Sequence, residues 1–217
     1  MHYLCLSFRK RIIMKAFIST VISFVFAFAS FGQTAHDIVT RMDEEMAKHQ
    51  DEGMEVTMDM KIPLLGTTTT RVYYFGKSYR MDSDVKGYTI TAWSDGKTMW
   101  TYDPTSNQIE VDNVAVSSTN DNVEMLKGIT DGYDVSLSKE TASAWYILCK
   151  KSRSNTNKDD PRTMDLVVSK GTYLPISLSA KVSMVTVTMR NVKYGVNESM
   201  VKFNPEDYPG ATIVDKR

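Results

Sequence analysis

The sequence predicts an α+β fold in which one large, mainly antiparallel β-sheet curls around a small helical component. Three observations carry that expectation. The hydrophobic period changes from helical spacing to alternation at Gly53 and stays near two for most of the remaining chain. Turn signals at Pro63, Gly66 and Asp95-Gly96, and the polar loop Ser152–Arg162, then divide about ten or eleven short strands, with no Pro/Ser-rich linker and no repeat of fixed period. Only two stretches have helical spacing, too few to cover both faces of such a sheet. Curling the concave side around the helices would protect one apolar face and leave a cavity.

Thr34–Glu52 spaces Ala35, Ile38, Met42 and Met46 at three- and four-residue steps, which predicts an amphipathic helix ended by Gly53. From there Val56, Met58, Met60 and Ile62 alternate with Glu55, Thr57, Asp59 and Lys61, the period of a strand with one apolar face. Pro63 and Gly66 turn the chain into Thr67–Phe75, a strand rich in Thr, Val, Tyr and Phe. Tyr79–Asp82, Tyr88–Trp93 and Thr98–Tyr102 follow, the last two joined as a hairpin by Asp95-Gly96, which tolerate left-handed backbone. Pairing Ser94 with Lys97 puts Tyr88, Ile90, Ala92 and Met99 on one face and Trp93, Trp100 and Tyr102 on the other, so both faces need cover. After a short strand at Asn107–Val111, Thr119–Gly128 returns to helical spacing, with Val123, Leu126 and Ile129 on one side and Asp121 and Glu124 as a cap. Strands are then expected at Tyr133–Leu137, Ala144–Lys150, Met164–Ser169, Leu174–Lys181, Met184–Tyr194 and Met200–Phe203, the last before Pro205.

The 217 residues balance 26 basic against 26 acidic side chains, but unevenly along the chain. Arg9, Lys10, Arg11 and Lys15 precede the apolar stretch Ala16–Phe31, small residues stand at Ala29, Ser30 and Gly32, and no acidic residue occurs before Asp37. These are the three parts of a secretory signal peptide. The apolar run is short for a stable membrane span, which takes ~20 residues. Residues 1–32 are therefore expected to be removed, with cleavage after Ala29 or Gly32 and Met14 an alternative start. Residues 33–217 would remain as one domain in the periplasm, with no cysteine at the cleavage region to be lipidated. Losing the four leader charges leaves 22 basic against 26 acidic residues, a net charge of −4. That balance gives no electrostatic hold on nucleic acid and discourages lasting adhesion to anionic membranes. Cys149 is the one cysteine beyond the leader, and its neighbours Trp145, Ile147 and Leu148 point to a buried, structural thiol.

The sequence carries no G-x-S-x-G elbow, no G-x-G-x-x-G fingerprint and no P-loop. His36 and His49 are too far apart for the i, i+4 ligand pair of a metalloprotease. Asp159-Asp160 occupy the most polar loop, where nothing apolar would separate their pKa values. The expectation is a protein that is not an enzyme and holds no metal. Methionine is abundant instead: twelve of the fourteen follow Met14, among them Met58, Met60, Met81, Met99, Met184 and Met189 in strands. Such side chains suit a pocket for flexible alkyl chains and equally fill cores.

Trp93-Ser94-Asp95-Gly96-Lys97-Thr98-Met99-Trp100-Thr101-Tyr102-Asp103-Pro104, followed by Gln108, resembles a segment of the LolA family of periplasmic outer-membrane lipoprotein carriers. That family's segment reads Ser-Asp-Gly-Lys-Thr-Leu-Trp-x-Tyr-(Asn/Asp)-Pro. Thr67–Met81 looks like the family's strand, basic-Pro and aromatic stretch, and Met200–Asp215 is similar to its closing Phe-x-Pro-x-x-x-(hydrophobic)-x-Asp tail. The resemblance spans essentially the exported chain, with the Asp-Gly hairpin its specific part. It implies an incomplete, half-open β-barrel whose concave face, under a short helical lid, holds the acyl chains of a lipoprotein. It further implies a monomeric chaperone of lipoprotein transport. Such a carrier takes acylated lipoproteins from an inner-membrane ABC-type lipoprotein-releasing complex, hands them to an outer-membrane acceptor, and needs no cofactor. A lipid- or lipoprotein-binding sensor, or a generic lipid carrier on the same fold, is the alternative.

On that reading the cavity would be lined by Val56, Met58, Met60, Ile62, Tyr73, Phe75, Tyr79, Met81, Ile90 and Trp100, with Val123, Leu126 and Ile129 in the lid. Strand parity gives each residue's face but not which face is concave. One departure matters: the family's lid-holding Lys-Arg-Pro stretch is matched here by Phe75-Gly76-Lys77-Ser78, with Arg71 and Arg80 nearby but out of place.

Overall fold

Thr34 fixes the start of the first helix through a reciprocal cap. Its Oγ1 accepts from the Asp37 N–H at 3.1 Å, and its own N–H donates to the Asp37 carboxylate at 3.0 Å. The computed structural model describes residues 33–49, 51–114 and 128–217. Helix α1 runs over Ala35–Ala47, shorter than the expected Thr34–Glu52. Beyond it the chain turns, so that the His49 ring stacks on Tyr194 with centroids 4.3 Å apart. Gly53 then enters the sheet where only glycine fits: an added Cβ would lie 2.2 Å from the Val196 carbonyl oxygen and 2.6 Å from that of Tyr74.

The strands are β1 (Gly53–Ile62), β2 (Gly66–Phe75), β3 (Ser78–Val85), β4 (Tyr88–Ser94), β5 (Thr98–Asp103), β6 (Gln108–Asn113), β7 (Tyr133–Glu140), β8 (Ala144–Lys151), β9 (Thr163–Ser169), β10 (Pro175–Val182), β11 (Val185–Val196) and β12 (Thr212–Asp215). Between the last two lie a short helix α2 (Glu198–Val201) and a 3-10 turn (Pro205–Asp207). All join one sheet in the order β12-β6-β5-β4-β3-β2-β1-β11-β10-β9-β8-β7. Neighbours are antiparallel except β12, which lies parallel to β6. The edges β7 and β12 do not pair, so the curled sheet stays open, an α+β half-barrel. A bulge opposite Glu55 and Thr57, with Asn191 at φ +56°, bends the long strand β11.

Three expectations are corrected. Among the described residues there are twelve strands rather than about ten or eleven, because Thr212–Asp215 is too short and exposed to announce itself. Met200–Phe203 is not a strand: Met200 and Val201 belong to α2, and a strand directly after β11 would find no free neighbour, since β1 and β10 already flank it. The β4–β5 hairpin pairs Ser94 with Met99 instead of Lys97. The Asp95 carboxylate accepts from both the Lys97 and Thr98 N–H groups at 2.8 Å, which moves the turn one residue on. The partner of Ser94 thereby moves by two residues, an even shift, so the face assignment survives. The helix expected at Thr119–Gly128 lies outside the described residues except for Gly128, which is in a turn.

Cross-strand partners share a face, so the register sorts the whole sheet. Helix α1 lays Ile38, Val39 and Met42 on Trp145, Ile147, Met164 and Leu166 of β8 and β9. The same face continues through Leu178 and Met189 to Met54, Val56, Val72 and Tyr74. Met46 and Ile129 pack against both groups, which makes this the concave side.

Replacing Gly53 by Ala should cost about 3 kcal/mol, since the obstacles are backbone carbonyls rather than movable side chains. A urea midpoint within error of the parent's would mean that β1 and its neighbours can spread.

Candidate functional site

Seven of the expected lining residues, Val56, Met58, Met60, Ile62, Tyr79, Met81 and Ile90, share the concave face by register. Val56 is fully buried, Met58, Tyr79, Met81 and Ile90 are half-buried, and Met60 and Ile62 are 40% and 36% exposed. The lining thus grades from core into open space toward the β1–β2 turn. Ile129, expected in the lid, is half-buried between the two core groups, while Val123 and Leu126 lie outside the described residues. Met99, Met189, Val187 and Leu178 also belong to this face. Met99 was readable from hairpin parity. Val187 and Leu178 were not, because nothing local announces that β11 lies beside β1.

Tyr73, Phe75 and Trp100 sit on the outer face. There Trp100 stacks on Phe203 at 5.2 Å, Trp93 meets Phe203 and Tyr208 at 5.4 Å each, and Tyr102 meets Tyr208 at 4.5 Å. Ile109 and Val111 of β6 are buried on the same side. The chain after β11 therefore works as an aromatic cover over β4 and β5. Arg80 lies 5.8 Å from both the Tyr73 and Trp93 rings and donates to Asp82 at 3.0 Å. Arg71 shares that outer face, so neither arginine faces the concave side.

The electrostatics of the concave side are quiet. Burial pushes the Tyr74 phenol up to about 12, and neighbouring Tyr79, whose hydroxyl donates to Met99 Sδ at 3.8 Å, adds to the rise. Burial also pushes the Cys149 thiol up to about 11, with Asp165 a smaller cause, so the thiolate is suppressed. Asp43 on α1 is the exception. Its Oδ1 is buried without a hydrogen-bond partner, and burial, then the charge of Asp131, raise its carboxyl above the ordinary range. On the outer side Arg190 donates to Asp59 at 2.6 Å and 3.2 Å, and that hydrogen bonding holds the Asp59 carboxyl below its ordinary value. Among the described residues no three His, Cys, Asp or Glu side chains are grouped to hold a metal ion. Among them, too, no helix is long and apolar enough to cross a membrane.

No protein-family model and no curated protein matches the chain. Solved structures do. An uncharacterized conserved protein from Thermus thermophilus is similar at 15% identity and a TM-score of 0.47, over 84% of this chain and 99% of that one. The lipoprotein LppX from Mycobacterium tuberculosis is similar at 10% identity and a TM-score of 0.47, over 75% of this chain and 96% of that one. A LolA superfamily protein from Nitrosomonas europaea is similar at 12% identity and a TM-score of 0.34, over 79% and 99%. At these values the likenesses assign neither a family nor a function.

Asp43→Asn should raise the melting temperature at neutral pH. The folded-state pKa lies above the unfolded one, so the penalty exists where the carboxylate is ionised and disappears as pH falls below its ordinary value. Melting curves across pH test this, and a gain that persists in acid would refute the assignment. Cys149 should resist thiol reagents in the native protein and react at the rate of unfolding. Rapid native labelling would contradict its burial.

Proposed function

We propose that this protein binds lipid acyl chains on the concave face of its sheet, outside the cytoplasm and without catalysis. In its more specific form, the proposal is that it carries acylated lipoproteins from an inner-membrane ABC-type releasing complex to an outer-membrane acceptor. The observation that carries the reading is the concave face itself. Its apolar character does not stop where the buried core stops: Met58, Met81, Ile90, Met99 and Val187 remain half-buried, and Met60 and Ile62 are open. Five of the six strand methionines singled out above, Met58, Met60, Met81, Met99 and Met189, are on this side. Unbranched thioethers adapt to an alkyl chain of any conformation, and each methylene buried contributes about 0.8 kcal/mol. The leader-like N-terminus and the resemblance of residues 93–104 to lipoprotein carriers support the extracytoplasmic and lipoprotein parts of the reading.

Incubating the exported protein with inner membranes that contain the releasing complex and a triacylated lipoprotein should yield a soluble one-to-one complex. Failure under conditions where an established carrier succeeds would sink the shuttle reading. Co-purified free lipid, identified by mass spectrometry, would favour a generic lipid carrier instead. Converting Met58 and Met81 together to Asp should weaken acyl-chain capture at least about tenfold, because the carboxylates must be desolvated or the chain excluded. Lys193→Gln on the outer face should leave capture unchanged.

A further inference from the structure

Hairpin turns ordinarily carry polar residues, yet two neighbouring turns of this sheet are apolar. The β1–β2 turn presents Leu64 fully exposed and Leu65 at 82%, and the β10–β11 turn presents Met184 at 73%. Leu64 holds φ +67° and Ser183 φ +56°. Left-handed backbone costs a leucine about 1 kcal/mol, and Asn or Gly would be both less strained and more soluble there. The turns are adjacent, since Lys61 of β1 pairs with Thr186 of β11, and Val182 pairs with Val185 across the β10–β11 hairpin. They leave the same end of the sheet about 10 Å apart.

The charges nearest the turns are basic, and the next outer-face row inward holds Asp59, which is paired with Arg190, and Asp165. No acidic residue occurs from Met60 to Met81 or from Leu166 to Asn197, although the chain beyond its leader is net acidic. Lys61 and Lys181 flank Thr186 on the outer face, and both are exposed and in no ion pair among the described residues.

We propose that this end of the sheet docks on a phospholipid surface. Leu64, Leu65 and Met184 enter the acyl region while Lys61 and Lys181 meet the headgroup phosphates. The occupant is a bilayer rather than a protein because the apolar side chains stand on two convex turns. A specific protein interface needs roughly 800 Å² per partner with shape complementarity, which two turns do not offer. A second copy of the chain would bring lysine against lysine. The docked end also places the open end of the concave face at the bilayer, since Ile62 and Met60 lead inward from Leu64 to Met58 on the same strand. An acyl chain could then pass from bilayer to cavity without crossing water. That last step rests on the acyl-chain binding proposed above, whereas surface docking does not.

Vesicles of phosphatidylethanolamine with a minority of phosphatidylglycerol provide the test, with protein exported and purified from cells expressing the full chain. The parent should co-sediment with them. The variant Leu64→Asn, Leu65→Ser, Met184→Ser should lose at least about tenfold in partition, and Lys61→Gln or Lys181→Gln about fivefold each, more at low salt. Leu64→Asn relieves strain, so the triple variant should melt no lower than the parent, and a lower melting temperature would assign these side chains to stability instead. A parent that stays in the supernatant, or a triple variant that binds within twofold of it, overturns the proposal. Loss of self-association in the variant, seen by sedimentation without vesicles, would also overturn it. Binding of a fluorescent fatty-acid probe separates the two ideas. Intact probe binding with no vesicle docking refutes the tip, and vesicle docking with no probe binding refutes the cavity.

Discussion

Trp93 and Trp100 face one side of β4 and β5 while Ala92 and Met99 face the other, and a sheet apolar on both sides cannot rest open in water. Much of the chain's architecture answers that constraint. The outer face is closed by the chain's own end: Phe203 and Tyr208 settle onto the tryptophans, the 3-10 turn at Pro205–Asp207 holds them at the right spacing, and β12 then lies beside β6. On the concave side α1 covers β8 and β9, and its last turn reaches only as far as Met46 toward β1. One face is thus finished locally, and the other is left with apolar residues that grade into open space.

That division gives the resemblance of residues 93–104 a physical meaning. Its members are structural. Asp95 accepts two backbone N–H groups to set the turn, Ser94 Oγ accepts from Gly96, and Asp103 accepts from the Thr105 backbone and hydroxyl. The aromatic members hold the Phe203–Tyr208 cover. The hairpin motif and the Phe-x-Pro tail occur together because each buries the other. A likeness carried by these residues speaks for a way of closing the outer face, and it says nothing of what the concave residues would bind, since these share no motif and are recognisable only by parity.

Most of the fold was legible for the same reason. Alternation is a local signal, so nearly every strand and every face in the β1–β5 meander could be read, and even the slipped hairpin kept its faces. What stayed hidden was non-local. No residue near Val187 signals that β11 returns to lie against β1, and nothing in Thr212–Asp215 signals a parallel partner 104 residues earlier in the chain. Tyr73, Phe75 and Trp100 are cavity candidates by sequence yet lie on the outer face, and hairpin parity alone puts Trp100 on the side away from Met99. Hydrophobicity marks a residue that needs cover, and only the register says which cover it receives.

Net charge and local charge also separate here. A surplus of −4 over residues 33–217 argues against lasting adhesion to anionic membranes, while two acid-free stretches place lysines beside exposed leucines at one end of the sheet. These are compatible if contact is to be brief. Two lysines contribute about 1 kcal/mol each near an anionic surface, and a few partly inserted side chains add less than the ~1.5–3 kcal/mol apiece of full burial. A single myristoyl chain, which binds membranes only reversibly, sets the comparable scale. Roughly sixteen methylenes in a cavity outweigh all of these together at about 0.8 kcal/mol each. If the proposed docking and acyl-chain binding hold, an end that grips the membrane weakly and a face that grips an acyl chain strongly give the ordering a carrier requires, because bound lipid would have to outlast each docking that loads or unloads it.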